Sequence, residues 1–247
     1  MDRSDPRYHA YVQILKEELI PAMGCTEPIA LAYAGAVARR TLGELPDRVT
    51  VQASGSIIKN VKSVIVPNTD HLKGIDAAVS AGIVAGDPDK KLEVIASVTP
   101  EQIQAMKQFM DEVPIEIEHI DKGCTFDIVV IVHHKDEYAK VRIANYHTNI
   151  VLIEKNGEIL EQAKVSGDSE DGLTDRNLLD MEHIWDFAMT VEIDEVKALL
   201  DQQISCNMTI ADEGLKNDYG ANIGKVLLAM DGDNVRVKAK AMAAAGS

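Results

Sequence analysis

The chain has 247 residues, with 40 acidic side chains against 25 basic ones and a formal net charge of −15, a balance that opposes phosphate backbones and anionic membrane surfaces alike. Nucleic acid and membranes are therefore excluded as expected partners, and no apolar run approaches the roughly 20 residues of a spanning helix. The start Met1-Asp2-Arg3-Ser4-Asp5 lacks the basic and apolar regions of a signal peptide, and three cysteines are too few for a disulfide framework, so the expected setting is the reducing cytoplasm.

From Asp5 to Ala22, apolar positions recur at helical spacing. A second helix is expected from Pro28 to about Leu42, with Thr26 as its cap and Gly43 closing it, which gives an N-terminal helical hairpin and sets Cys25 at a helix start. Arg48 to Ser54 alternates as a strand, and Ser54-Gly55-Ser56 reads as a break leading into a loop. The small residues of 74–86 suit a helix that packs with close backbone approach. Leu92 to Ser97 reads as a buried strand, Pro100 to Glu112 as a helix and Pro114 to Ile120 as a strand. Phe126–His133, Tyr138–Asn145, Asn149–Lys155 and Glu158–Lys164 read as strands, the last two joined by the hairpin turn Asn156-Gly157. Ser166 to Arg176 is polar and acidic, as in a loop or interlobe linker, and helix-forming segments follow: Leu178–Thr190, Ile193–Ile204, Asn207–Leu215, Ala221–Met230 and Val235–Ala245.

The expected fold is therefore mixed α/β (α+β), with a central, mostly antiparallel sheet packed by helices and a helical C-terminal lobe. The expected organisation is a mixed domain over 1–166, a linker over 167–176 and a helical segment over 177–247.

Cys25, in Gly24-Cys25-Thr26-Glu27-Pro28, is the foremost chemical candidate. A thiol at a helix N-terminus meets free N–H groups and the positive end of the macrodipole, which favours thiolate. Against this stand a purely structural role and Glu27, which opposes thiolate formation. His147, in Asn145-Tyr146-His147-Thr148-Asn149, falls where one strand gives way to the next, either as part of a site or in a loop satisfied internally. Lys59 follows the Gly/Ser-rich segment and suits a carboxylate or, in a pyridoxal-phosphate lyase, a Schiff base. His133 and His134 point to opposite faces of a strand and cannot readily share a metal. Cys124 and Cys206 lack metal-ligand spacing and read as structural. The echo of Gly24-Cys25-Thr26 in Gly123-Cys124-Thr125 is too short to be a repeat.

Gly24-Cys25-Thr26-Glu27-Pro28, Ser54-Gly55-Ser56-Ile57-Ile58-Lys59-Asn60, the Asn145–Glu158 stretch and Gly214-Leu215-Lys216-Asn217-Asp218-Tyr219-Gly220, taken together and in this order, resemble the L-cysteine desulfidase branch of the iron–sulfur L-serine dehydratase alpha-chain family. The resemblance implies a lyase that eliminates the β-thiol of L-cysteine, or the β-hydroxyl of L-serine, giving pyruvate, ammonia and sulfide or water. It implies a 4Fe-4S cluster held by three cysteines, of which Cys25 matches the first. It also implies that the family pattern continues past Ser247 to the other two ligands, so the chain reads as a fragment, inactive in isolation, that starts a cluster-binding region at its end. His147 and Lys59 are the expected catalytic residues. Thr26, Glu27, Ser54, Ser56, Asn60 and Thr148 are the expected substrate-binding ones. A small amino acid is the expected partner, and a homodimer is allowed. The alternatives are a non-catalytic amino-acid-binding domain and, behind it, a pyridoxal-phosphate lyase on Lys59.

Overall fold

The computed structural model describes residues 1–22, 24–163, 174–218 and 221–246. In chain order the elements are α1 (Pro6–Glu18), α2 (Thr26–Leu42), β1 (Arg48–Ser54), α3 (Gly55–Val61), α4 (Gly74–Ala85), α5 (Pro100–Glu112), β2 (Ile115–Ile120), β3 (Asp127–His134), β4 (Glu137–Ala144), β5 (Ile150–Lys155) and β6 (Glu158–Gln162). The later helices are α6 (Met181–Thr190), α7 (Ile193–Lys216), α8 (Ile223–Asp231) and α9 (Val235–Ala245). The contacts divide the chain into one unit formed by Ala22–Gly172 and another formed by Met1–Pro21 with Leu173–Ser247.

The first of these units is built on a six-stranded sheet of order β2-β1-β3-β4-β5-β6. Only β1 and β2 run parallel, and α3, α4 and α5 lie in the crossover between them; the remaining pairs are antiparallel, as expected. Val49, Val51, Val130, Val141 and Ile143 fill the core from the sheet, because alternate side chains of a strand share one face. Helix α2 is buried almost all round, and its Ala- and Gly-rich sequence lets α4 approach closely: a β-carbon on Gly82 would lie 1.8 Å from the Ala32 carbonyl oxygen. The expected close packing of 74–86 is present. Helix α5 starts at Pro100 behind a complete Thr99–Gln102 capping box. Asn156 and Gly157, both at positive φ, make the β5–β6 turn.

Three local expectations are corrected. Ser54-Gly55-Ser56 does not open a loop, since Gly55 begins α3 directly after β1. Leu92–Ser97 is not a strand: a 3-10 segment, Pro88–Glu93, continues into turns, and Leu92, Val94 and Ile95 are buried there without strand pairing. Ile193–Ile204 and Asn207–Leu215 are one continuous helix, because no helix breaker separates them.

The other unit is helical. Helix α1 packs its Tyr8, Tyr11, Val12 and Ile14 with Phe187 of α6 and Val196 of α7, and both tyrosine rings meet Phe187 edge-on at 5.6 and 5.4 Å. Arg176 binds the Glu17 and Glu18 carboxylates at 2.6 and 2.7 Å. The helix expected as half of an N-terminal hairpin thus belongs with residues far along the chain, because its aromatic face is filled by Phe187. Of the expected 167–176 linker, 167–173 lie outside the described residues. Among the described residues, no helix is long and apolar enough to cross a membrane.

Candidate functional site

Gly24, at φ 114°, occupies the left-handed region open to glycine and turns the chain into α2. The helix begins at Thr26, one position beyond Cys25, and Cys25 makes no side-chain capping bond. Thr26 is therefore free of the capping role expected for it, and its Oγ1 lies 2.9 Å from His147 Nε2. His147 stands in the turn between β4 and β5, where Asn145 takes a positive φ of 69° and its N–H donates to the Phe126 carbonyl at 3.0 Å. The Phe126 ring meets the imidazole edge-on at 4.5 Å. Thus the start of α2, the loop before β3 and the β4–β5 turn converge on one histidine.

Beside it, Cys25 Sγ donates to Glu27 Oε2 at 3.0 Å, and Asn60 Nδ2 donates to Glu27 Oε1 at 3.4 Å. Desolvation, followed by the hydrogen bond and the charge of Glu27, pushes the Cys25 thiol up to about 11. Of the two opposing influences expected at Cys25, lost hydration and the neighbouring carboxylate outweigh the helix end. Partial burial works to raise Glu27, yet the hydrogen bonds from Cys25, its own backbone and Asn60 leave it below the ordinary value. Burial lowers His147, against the opposing charge of Glu27, so the imidazole is neutral at neutral pH.

Ser54 and Ser56 meet on a shared acceptor. Ser54 Oγ donates to the Thr125 carbonyl at 2.7 Å, Ser56 Oγ donates to the same oxygen, and the two hydroxyl oxygens are 3.1 Å apart. Thr125, Phe126, Asn145 and Tyr146 line an open cleft of about 320 Å³. Hydrogen bonds link Cys25, Glu27 and Asn60 in one set and Thr26 with His147 in another, the two meeting along the backbone of residues 25–27, while the serines reach His147 through the Thr125-Phe126 segment. Thr148 is half-buried in the turn and its carbonyl accepts from Ile150 N–H at 3.1 Å. Lys59 is exposed on α3 and is not brought into the network.

Sequence reasoning missed an ion pair next in the chain to the residues that line this cleft. Asp127, fully buried at the start of β3, takes a bidentate ion pair from Arg142 of β4 at 2.9 and 2.7 Å. The pair anchors the 123–126 segment, where a β-carbon on Gly123 would lie 2.5 Å from Asp127 Oδ2. The Gly123-Cys124-Thr125 echo was the available signal: one Gly-Cys-Thr supplies Thr26 to His147, and the other supplies the Thr125 carbonyl to both serines.

An iron–sulfur cluster is held by several thiolates. Cys25 is exposed and within reach of an ion, Cys124 is half-buried near Arg142, and Cys206 is exposed on α7. Among the described residues, no group of three or more His, Cys, Asp or Glu side chains is arranged to hold a metal ion. The site fits one ligand position, with Glu27 as a counter-charge, and not a whole cluster.

These features define a mixed α/β chain whose cysteine-bearing helix start faces a histidine turn. The chain is similar, along all of its length, to a UPF0597 protein of Desulfitobacterium hafniense (strain Y51), at 54% identity over 250 residues that make up 57% of that protein. It is 44% identical over 240 residues to a UPF0597 protein of Lachnoclostridium phytofermentans, with 97% of this chain and 57% of that one covered. The match to a UPF0597 protein of Treponema denticola is 40% over 245 residues, 98% of this chain and 56% of the relative. The chain thus spans somewhat over half the length of the curated relatives it matches. No family model and no solved structure matches it.

Proposed function

We propose that this chain carries part of the site of an amino-acid lyase, one that eliminates sulfide from L-cysteine or water from L-serine to give pyruvate and ammonia. The contact that carries this reading is Thr26 to His147 at 2.9 Å, which ties the Cys25 helix start to a turn 121 positions away.

Elimination requires a base for a weakly acidic α-proton and assistance to the leaving group. The neutral imidazole of His147 suits the first need. In the tautomer whose Nε2–H donates to Thr26 Oγ1, Nδ1 keeps the lone pair that would accept the proton, and the Phe126 ring packs edge-on against the imidazole. Ser54 and Ser56 spend their hydrogens on the Thr125 carbonyl, so their oxygens present lone pairs to a substrate ammonium. Lys59 is exposed on α3, suited to a carboxylate. When bound, an iron–sulfur cluster with one iron open to substrate supplies Lewis-acid assistance to the leaving sulfur or oxygen. Cys25 would hold it as one of three thiolates, the others coming from polypeptide like that in the relatives' remaining length. Because the free thiol sits near pKa 11, metal binding at Cys25 releases a proton.

The test joins this chain to the remaining sequence of the D. hafniense relative, in the relative's order, and reconstitutes it anaerobically with iron and sulfide. Iron–thiolate absorbance together with pyruvate from L-cysteine or L-serine is expected. A fully iron-loaded protein that forms pyruvate from neither amino acid refutes the reading.

A further inference from the structure

Helix α6 carries two apolar faces. At about 100° per residue, Phe187 points to the side opposite Met181, Trp185 and Met189. Phe187 is buried against Tyr8 and Tyr11, whereas Met181, Trp185 and Met189 are 79%, 69% and 68% exposed. Helix α8 repeats the arrangement: Gly224 packs on Ala241 of α9, while Ile223, Val226 and Met230 share an exposed stripe. Contiguous apolar stripes of this kind mark interaction surfaces rather than ordinary solvent-facing helix. Among the described residues, the buried apolar side chains of this unit, Tyr8, Tyr11, Val12, Ile14, Phe187, Val196, Ala211 and Ala241, are few for five helices, since a unit of this size ordinarily buries well over half of its surface.

We propose that the open face of α6, formed by Met181, Trp185 and Met189, is a docking surface for one occupant, polypeptide corresponding to the part of the UPF0597 relatives that this chain does not span. The relatives matched over almost all of this chain extend well beyond it, the match taking up 57%, 57% and 56% of their lengths. The surface they would leave open is apolar, as an interface shared by two parts of one folded body is. This inference does not rest on the iron chemistry above, and complex geometry is read without iron.

Trp185 is the single tryptophan of the chain, so it reports directly on the α6 face. The chain is labelled with 5-fluorotryptophan, alone and joined to the remaining sequence of the D. hafniense relative, and the Trp185 resonance is assigned by its loss in Trp185→Phe. A soluble nitroxide should broaden it strongly in the chain alone and severalfold less in the joined protein. Met181→Lys with Met189→Lys should lower the melting temperature of the joined protein and leave that of the chain alone unchanged. The same nitroxide measurement on the full D. hafniense protein, with tryptophan at the position aligned to Trp185, provides a natively folded comparison. Equal broadening in the extended proteins overturns the proposal, as does an unchanged melting temperature for the double variant. Protection of Trp185 in the chain alone, growing with concentration, also overturns it by making a second copy the occupant. Loss of iron binding or pyruvate formation with Trp185 still protected would sink the lyase reading and leave the docking surface standing.

Discussion

Replacing Gly82 by alanine tests how the start of α2 is held in place. In an unconstrained helix the change would stabilise by about 1 kcal/mol, because alanine is the better helix former. Here the new β-carbon would lie 1.8 Å from the Ala32 carbonyl oxygen, 2.6 Å from its carbon and 2.7 Å from its Cα. Ordinary contact begins at 3.4 Å, so α2 and α4 must separate by about 1.6 Å, and the obstructing atoms are backbone that cannot rotate away. Overpacking of a tight core costs about 1–3 kcal/mol and more when backbone must move; the upper end applies, and the clash outweighs the propensity gain. A net loss of about 2–3 kcal/mol corresponds to roughly 5–10 °C in melting temperature for a unit of this size. Because α2 carries Thr26 at its start, its movement should also loosen the Thr26–His147 contact. Thermal melts followed by circular dichroism, with Gly43→Ala as the comparison, measure this. Gly43 has nothing within 4 Å of a β-carbon but sits at φ 93°, so its cost should stay near 1 kcal/mol. A Gly82→Ala protein as stable as the parent would show that α2 and α4 part without cost.

At pH 8 Cys25 should react with iodoacetamide about tenfold or more slowly than an unperturbed cysteine, since its thiol is pushed up to about 11 by lost hydration and by Glu27. Glu27→Gln should speed that reaction, as read by peptide mass spectrometry, and an unchanged rate contradicts the role given to Glu27. The linked stability follows the same shift: a folded pKa above the ordinary 9.0 stabilises fully below 9 and loses that contribution as pH rises from 9 through 11. Denaturant midpoints of the parent and Cys25→Ser should therefore converge over that window. His147 should titrate below 6.5 by NMR, lower again in Glu27→Gln, which removes the charge opposing the effect of burial; a titration above 6.5 would remove the neutral base. Asp127→Ala leaves the Arg142 guanidinium without its buried partner and should cost about 3 kcal/mol by urea denaturation, the low end of the range because Arg142 is 31% exposed. A loss under 1 kcal/mol would show that the pair does not anchor the cleft.

Where local chemistry decides, the sequence was readable. The run from Pro100 to Glu112 announces α5, Asn156-Gly157 the β5–β6 turn, and the small residues of 74–86 the close approach of α4 to α2. Leu92–Ser97 misled because a short apolar run reads alike for a buried strand and a buried turn; with no neighbouring strand to pair, it folded into 3-10 and turn structure over the core. The partner of α1 lies more than 160 positions away at Phe187, beyond any local periodicity. At the site, Cys25 and His147 were both singled out, but their juxtaposition through Thr26 is a tertiary fact. The opposition of Glu27 to the Cys25 thiolate was legible two positions away, whereas the loss of hydration that raises the thiol most is a tertiary fact. Phe126, Asp127 and Arg142 escaped notice because their spacing carries no motif and becomes meaningful only through the β3–β4 register.

The proposed lyase makes Cys25 an iron ligand. The most direct measurement is pyruvate release from L-cysteine by the anaerobically iron-reconstituted protein in which this chain is joined to the relative's remaining sequence, compared with its Cys25→Ala variant at matched protein concentration. Iron-dependent pyruvate is expected from the parent and none above background from Cys25→Ala, together with loss of iron from the variant. Undiminished pyruvate and iron in Cys25→Ala would contradict it.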